Sequence, residues 1–272
     1  MAVLLTAAGA AEAQAIRVAV EDGTGRGGGA ATVAQLNDDS FVDFDAVLVG
    51  TADLDTAPER AAYDVVILGG SGYNDADWTP AMTAALRAWV EAGNGAILTG
   101  WGNFDVNAGE PITADIEALF PGQNIPSVNE YVDGSQAIDI LVPGHPVTQG
   151  LANFATGAAF TEVNRFAPEA DDTVLAAIVG APGDLAVAVK EIVGAGGRSA
   201  YLGPIYLADT SNYSQGNLRS GSSDQLLEQA VAWAAGAEGQ ELTAIPALSG
   251  IGAVILSLLV AAAGFAAIKL RA

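Results

Sequence analysis

The chain has 272 residues, 51% of them hydrophobic, and carries a formal charge of −22 from 10 Lys and Arg against 32 Asp and Glu. That length fits one domain with a sizeable core, and that charge excludes nucleic-acid binding and opposes adsorption to anionic surfaces. The chain has no cysteine, which excludes disulfides, thiolate catalysis and thiolate metal sites together.

In chain order, residues 1–15 are small and apolar and end in Ala11-Glu12-Ala13 and Ala13-Gln14-Ala15. They read as the remnant of a secretory signal peptide with its cleavage site, although no basic n-region precedes them. Short apolar runs then predict strands at Ile16–Val20, Ala46–Val49, Val65–Leu68 and Ala96–Leu98, of the kind buried on both faces of a parallel sheet. A helix is predicted between the last two. Thr79 is its N-cap and Pro80 its first residue, while Met82, Ala85, Leu86, Trp89 and Val90 form its apolar face and Gly93 its stop. Strand, helix and strand make a right-handed βαβ unit. Further strands are predicted at Ala137–Val142, Thr173–Val179, Leu185–Val193 and Arg198–Ile205, the last two forming a hairpin around Gly194–Gly197. A final helix is expected from Ser222, with Gln225 completing a capping box, Leu226, Leu227, Ala230, Val231 and Ala234 on its apolar face, and Gly236 at its end. Residues 237–244 read as a linker.

The C-terminal segment 245–272 reads as an anchor. No residue from Ile251 to Ile268 is charged, and Lys269 and Arg271 follow at once. Eighteen residues at ~1.5 Å each span roughly 27 Å, about the hydrocarbon thickness of a bilayer. The basic end places the C-terminus in the cytoplasm and the body of the chain outside it.

Three glycine-rich loops are expected at the carboxyl ends of the strands, where open α/β sheets bind ligands. The loop after the first strand carries Asp22 and Arg26, the loop after the third Ser71 and Tyr73, and the loop after the fourth Trp101, Asn103 and Asp105. The first could hold an anion on backbone N–H groups and Arg26, or be a plain flexible turn; it lacks the Gly-Lys-Ser/Thr ending of a P-loop. Trp101, Tyr73 and Phe104 beside carboxylates and amides suit sugar recognition, and equally suit a core. His145 is the single histidine, set in the turn Pro143-Gly144-His145-Pro146; it could bind a ligand or only bond the backbone. Asn37-Asp38-Asp39 with Asp43 and Asp45, or Asn74-Asp75-Asp77, offer oxygen ligands to a hard cation, but neither matches an EF-hand, and both read as solvated turns. No metal or cofactor is expected.

Several phrases in the body resemble the class I glutamine amidotransferase-like superfamily, particularly its ThuA-like branch. They are Asp64-Val65-Val66-Ile67-Leu68-Gly69-Gly70, the helix end Trp89–Gly95, the turn Leu98-Thr99-Gly100-Trp101-Gly102, and Gly144-His145-Pro146-Val147-Thr148-Gln149-Gly150-Leu151. The resemblance spans about 200 residues, and the order of the phrases gives it most of its weight. It implies a flavodoxin-like, doubly wound sheet; with the elements predicted above, the expected fold is α/β over residues 16–236, a mainly parallel sheet with a β-hairpin addition, and the apolar tail adds a C-terminal transmembrane helix. It also implies a nucleophile elbow after the fourth strand, where amidotransferases carry a catalytic Cys. Trp101 occupies that turn here, and an indole cannot attack a carbonyl, so no catalytic residue is expected.

The tail resembles the IPTL-CTERM sorting signal through Ile245, Pro246, Ala247, Leu248 and Ser249, followed by the apolar segment and basic end; Ala247 replaces the usual Thr. That resemblance implies recognition by an exosortase-type membrane enzyme and passage through the inner membrane of a Gram-negative bacterium that makes extracellular polysaccharide, with the domain in the periplasm and then at the cell surface or in the matrix. The expected function is that of a surface protein with a catalytically empty domain, with extracellular polysaccharide as its candidate ligand. The rivals are a carbohydrate-active hydrolase using carboxylates such as Asp22, Asp105, Glu130 or Glu162, whose spacing would set its stereochemistry, and a matrix protein without ligand.

Overall fold

The computed structural model describes residues 15–21, 28–38, 41–69, 78–100, 113–122, 130–132, 136–159, 161–163, 168, 170–192, 194–207 and 215–237. Its nine-stranded sheet has two differently built halves. In one half, β1 (Ile16–Glu21), β2 (Phe44–Val49), β3 (Val65–Leu68), β4 (Gly95–Thr99) and β11 (Arg198–Leu202) lie parallel in the order β2-β1-β3-β4-β11. In the other, β10 (Ala181–Glu191), β9 (Asp172–Ile178), β6 (Ala137–Ile140) and β7 (Phe154–Ala155) continue from β11 with every pairing antiparallel. A separate two-stranded ribbon pairs β5 (Glu130–Val132) with β8 (Thr161–Val163).

Helices cover both faces of the parallel half, and strand alternation decides which side chain meets which helix. Val18, Val20, Val65, Ile67, Ile97, Ala200 and Leu202 face α1 (Gly29–Leu36) and α5 (Gly221–Ala234), which contribute Leu36 and Leu226, Leu227, Ala230 and Val231. Ala19, Val66, Leu68, Ala96, Leu98 and Tyr201 face α3 (Pro80–Glu91) and α4 (Thr113–Leu119), through Met82, Leu86, Val90, Ile116 and Leu119. This two-sided burial explains why the central strands read as unbroken apolar runs. A short α2 (Ala57–Arg60) links β2 to β3.

The helix α3 forms as its sequence predicts. Thr79 Oγ1 accepts the Met82 amide at 3.2 Å, Pro80 opens the helix, and Gly93, at φ +111°, closes it. Its buried Met82, Leu86 and Val90 each contribute about 1.5–3 kcal/mol of transfer free energy.

Three expectations are corrected. The sheet is mixed rather than mainly parallel, with four parallel and four antiparallel pairings. The expected hairpin is one corner of a larger antiparallel extension, because the Val179–Gly180 turn (Gly180 at φ +82°) makes β9 and β10 a second hairpin. The last helix begins at Gly221, not Ser222, and its N-cap Ser220 makes no side-chain cap bond; the Gln225 amide instead donates to the Gln149 carbonyl at 3.4 Å. Among the described residues no helix is long and apolar enough to cross a membrane. The expected signal remnant 1–14 and the segment 238–272, with Ile245, Pro246, Ala247, Leu248 and Ser249, lie outside the described residues.

A buried polar tie joins α1, α5 and the segment before β2. Arg219 donates from Nη1 to Thr32 Oγ1 at 2.9 Å and to Gln35 Oε1, and from Nη2 to the Tyr206 carbonyl at 2.6 Å. The Gln35 amide donates to Asp224 Oδ1 at 2.6 Å and to the Leu218 carbonyl at 2.9 Å. Glu228 Oε2 accepts the Phe41 and Val42 amides at 3.0 and 2.9 Å, whereas its Oε1, fully buried, has no hydrogen-bond partner. Burial, with the neighbouring Asp224 and Asp38 charges adding to it, pushes the Glu228 carboxyl up to about 8. Burial also raises Asp224 above the usual carboxylate range.

A carboxyl whose pKa is higher folded than unfolded stabilises the fold below its unfolded value and loses that contribution as pH rises through the folded one. For Glu228 that window runs from 4.5 to about 8. Thermal unfolding followed by circular dichroism should therefore give a Tm that falls across this window, and Glu228→Gln should flatten the fall and exceed the parent above about pH 8. A second prediction concerns Gly197, where a Cβ would stand 1.8 Å from the Val90 carbonyl oxygen, whereas at Gly183 it would meet nothing within 4 Å. In urea melts Gly197→Ala should cost about 1–3 kcal/mol or more, and Gly183→Ala no more than about 0.5 kcal/mol.

Candidate functional site

The parallel strands end together at Glu21, Leu68, Thr99 and Leu202, which defines the carboxyl edge where doubly wound sheets gather ligands. Glu21 is fully buried there. Its Oε1 accepts the Trp78 indole N–H at 2.5 Å and the Thr51 hydroxyl at 3.1 Å, and its Oε2 accepts the Gly69 amide at 3.2 Å. One carboxylate thus binds together the loops after β2 and β3 and the entry to α3. A buried charge is tolerated when it is satisfied in this way.

The turn after β3 packs against the end of β4. Gly69 sits at φ +128°, and a Cβ there would stand 2.5 Å from the Thr99 carbonyl oxygen. Only glycine fits that combination of left-handed backbone and close approach. The Thr99 hydroxyl is buried without a hydrogen-bond partner among the described residues. After β4, the Gly100 amide donates to the Leu202 carbonyl at 3.0 Å, and a Cβ at Gly100 would stand 2.4 Å from Ile205 Cγ1. The backbone at Gly100 is therefore packed closely against Gly203 and Ile205. The β5–β8 ribbon reaches the same place through a bridge from Thr161 to Pro204. Its register sets Glu130 against Val163 and Glu162 against Tyr131, so the two acids are not cross-strand partners.

Of the site residues expected from sequence, Asp22, Arg26, Ser71, Tyr73, Trp101, Asn103 and Asp105 lie outside the described residues, as does Phe104. The residues from which their three loops depart, Glu21, Gly69 and Gly100, all stand at the carboxyl edge. His145 stands at the opposite, amino edge. Its ring lies 5.4 Å from that of Trp233, near the end of α5, and Trp233 in turn accepts a 2.9 Å bond on its carbonyl from Arg198, the first residue of β11. His145 Nδ1 accepts the Val147 amide at 3.2 Å, which closes its own turn. His145 and the residues from which the three loops depart thus stand at opposite edges of the sheet.

Sequence reading missed Glu21 and Trp78. The signal for Glu21 was present: it is the one acid ending an apolar strand directly before a glycine-rich loop. Asn37, weighed as a cation ligand, instead exchanges two hydrogen bonds with the Ala46 backbone, at 2.9 and 2.8 Å, and so fastens the end of α1 to β2. Among the described residues no group of three or more His, Cys, Asp or Glu side chains could hold a metal ion.

No family model and no curated protein matches the chain. Solved structures do match it. A ThuA-like protein from Bacteroides uniformis superposes with a TM-score of 0.62 at 15% identity, covering 84% of this chain and 95% of that one. A ThuA-like protein from Parabacteroides merdae gives 0.56 at 13%, covering 86% and 94%. PurLQS from Thermotoga maritima gives 0.53 at 14%, covering 80% and 98%. At such identities the likeness speaks for the backbone alone. The fold of this chain is accordingly the ThuA-like, class I glutamine amidotransferase-like fold.

Proposed function

We propose that this chain is an exported surface protein whose amidotransferase-like domain binds a ligand at the carboxyl edge of its sheet without catalysing a reaction, the ligand being an extracellular polysaccharide. In this reading an exosortase-type enzyme processes the tail, the apolar segment holds the protein in the inner membrane until then, and the flavodoxin-like, doubly wound half of the sheet is the scaffold of the site.

The observation that carries the reading is the condition of Glu21. The carboxylate standing where a general base would be useful is fully buried and committed to three donors, which favours a brace over a nucleophile or base. The lack of any cysteine removes the chemistry for which the elbow is otherwise used. In this reading Trp101, the residue after Gly100 in the sequence, supplies the ring on which a sugar face packs.

The test is a glycan-array and hydrolysis screen of the full chain. The expected result is saturable binding to an extracellular polysaccharide with no new reducing ends, lost on Trp101→Ala. Turnover of any glycan, abolished by Glu21→Gln, would put the carbohydrate hydrolase in its place, and silence on every polysaccharide would remove the ligand. The sorting reading has its own test. In cell fractionation the full chain should partition with the inner membrane until processed, and deletion of residues 245–272 should release it; unchanged partitioning would refute the anchor.

A further inference from the structure

Away from the carboxyl edge, a cavity of about 400 Å³ opens at the β10–β11 hairpin, lined by Asp171, Glu191, Ile192, Gly194, Gly196 and Arg198. Small-molecule sites span roughly 300–1,000 Å³, so a compact ligand fits. The walls are firm. The Ile192 amide donates to the Gly197 carbonyl at 2.7 Å, and Gly197 lies directly against the Val90 carbonyl at the end of α3. Gly194 and Gly196, at φ +137° and +87°, bring bare backbone to the rim.

The charges in this cavity have an unusual arrangement. Glu191 and Arg198 are directly opposite in the β10–β11 register. Opposite charges so placed, with Cβ atoms ~5 Å apart, ordinarily meet. Here Arg198 is turned toward α5: its Nη1 donates to the Trp233 carbonyl at 2.9 Å, and its guanidinium carbon lies 5.2 Å from the centre of the Trp233 ring. Glu191 makes no hydrogen bond or ion pair among the described residues. Asp171, on the third wall, pairs among the described residues with Lys190, at 3.7 Å. The result is a cavity with a positive wall and a negative wall, between which the described residues form no ion pair.

Ligands of a single charge sign meet one repelling wall. An anion faces Asp171 and Glu191, and a bare cation faces Arg198. We propose that this cavity binds a small zwitterion, a free amino acid or ω-amino acid, with its carboxylate toward Arg198, its ammonium between Glu191 and Asp171, and its methylene stem against Ile192. The planar fork of Arg198, already held by Trp233, suits a carboxylate, and the exposed Glu191 supplies an acceptor without a protein partner among the described residues.

The test is isothermal titration of the full chain with glycine, β-alanine and γ-aminobutyrate, and with propylamine and propionate as probes of one charge. One member of the amino-acid series should saturate at least tenfold more tightly than either single-charge probe. Because Glu191 is exposed and has no partner among the described residues, Glu191→Gln should leave Tm unchanged and weaken that binding at least tenfold. Asp171→Asn should weaken it less, and Asp139→Asn, which removes a charge on β6 opposite Ala177 at the far end of β9, should not weaken it. The proposal is overturned if no member of the series saturates, if propylamine binds as tightly as the zwitterion, or if Asp139→Asn weakens binding as much as Glu191→Gln; the last two results would mean diffuse attraction to an acidic surface.

Discussion

The pairing of β11 with β4 is the constraint on which the remaining structure depends. β11 is parallel to β4 on one side and antiparallel to β10 on the other, so a single strand of five residues joins two halves with different hydrogen-bonding patterns. It can do so because its two faces are claimed separately: Ala200 and Leu202 by α5, Tyr201 by the α3 side. The approach is close enough that Gly95, the first residue of β4, leaves no room for a side chain beside the Ala234 carbonyl. The carboxyl edge is level only because that register holds, and the Gly100 turn takes its position from the Leu202 carbonyl.

How much of this was legible in the sequence depended on burial. Val65–Leu68 and Gly95–Thr99 are buried at every position and announce themselves as apolar runs. Thr79, Pro80 and Gly93 mark α3 because local backbone chemistry, not tertiary context, sets its ends. By contrast Phe44–Val49 lies at the sheet margin and is partly exposed, so its first residues carried no run. The strands β5, β7 and β8 have two or three residues each, too few for any period to show. The antiparallel extension was hidden for another reason: neighbours such as β6 and β9 are far apart in the chain, and no local signal specifies which strand a buried strand will join.

The candidate site was legible in outline only. Three glycine-rich loops were expected at one edge, and the residues from which they leave do stand there. The carboxylate that organises that edge was passed over in favour of its neighbour Asp22. Glu21 ends a strand whose other residues point to the two apolar layers, and its value comes from Trp78, 57 positions later. Likewise Arg219, Gln35, Asp224 and Glu228 each read as surface residues in their own helices or loops, and only their convergence buries them. His145 shows the reverse case: a residue chemically suited to a site is carried to the far edge by the turn in which it sits.

The place of β11 also bears on how the molecule is assembled. Its parallel partner β4 ends at Thr99, whereas β11 begins at Arg198, so about a hundred residues must be synthesised between them before the two can pair. At roughly 5–20 residues per second on the ribosome, that interval lasts several seconds. During it β4 has an open edge beside β3, and the apolar layer that will meet α5 has no cover, because α5 follows β11. Strands left open in this way add to other chains as readily as to their own. Pairings of such sequence separation are also slow to close. The interval between the two strands is thus a stretch of synthesis in which the fold cannot close, whatever the stability of the finished sheet.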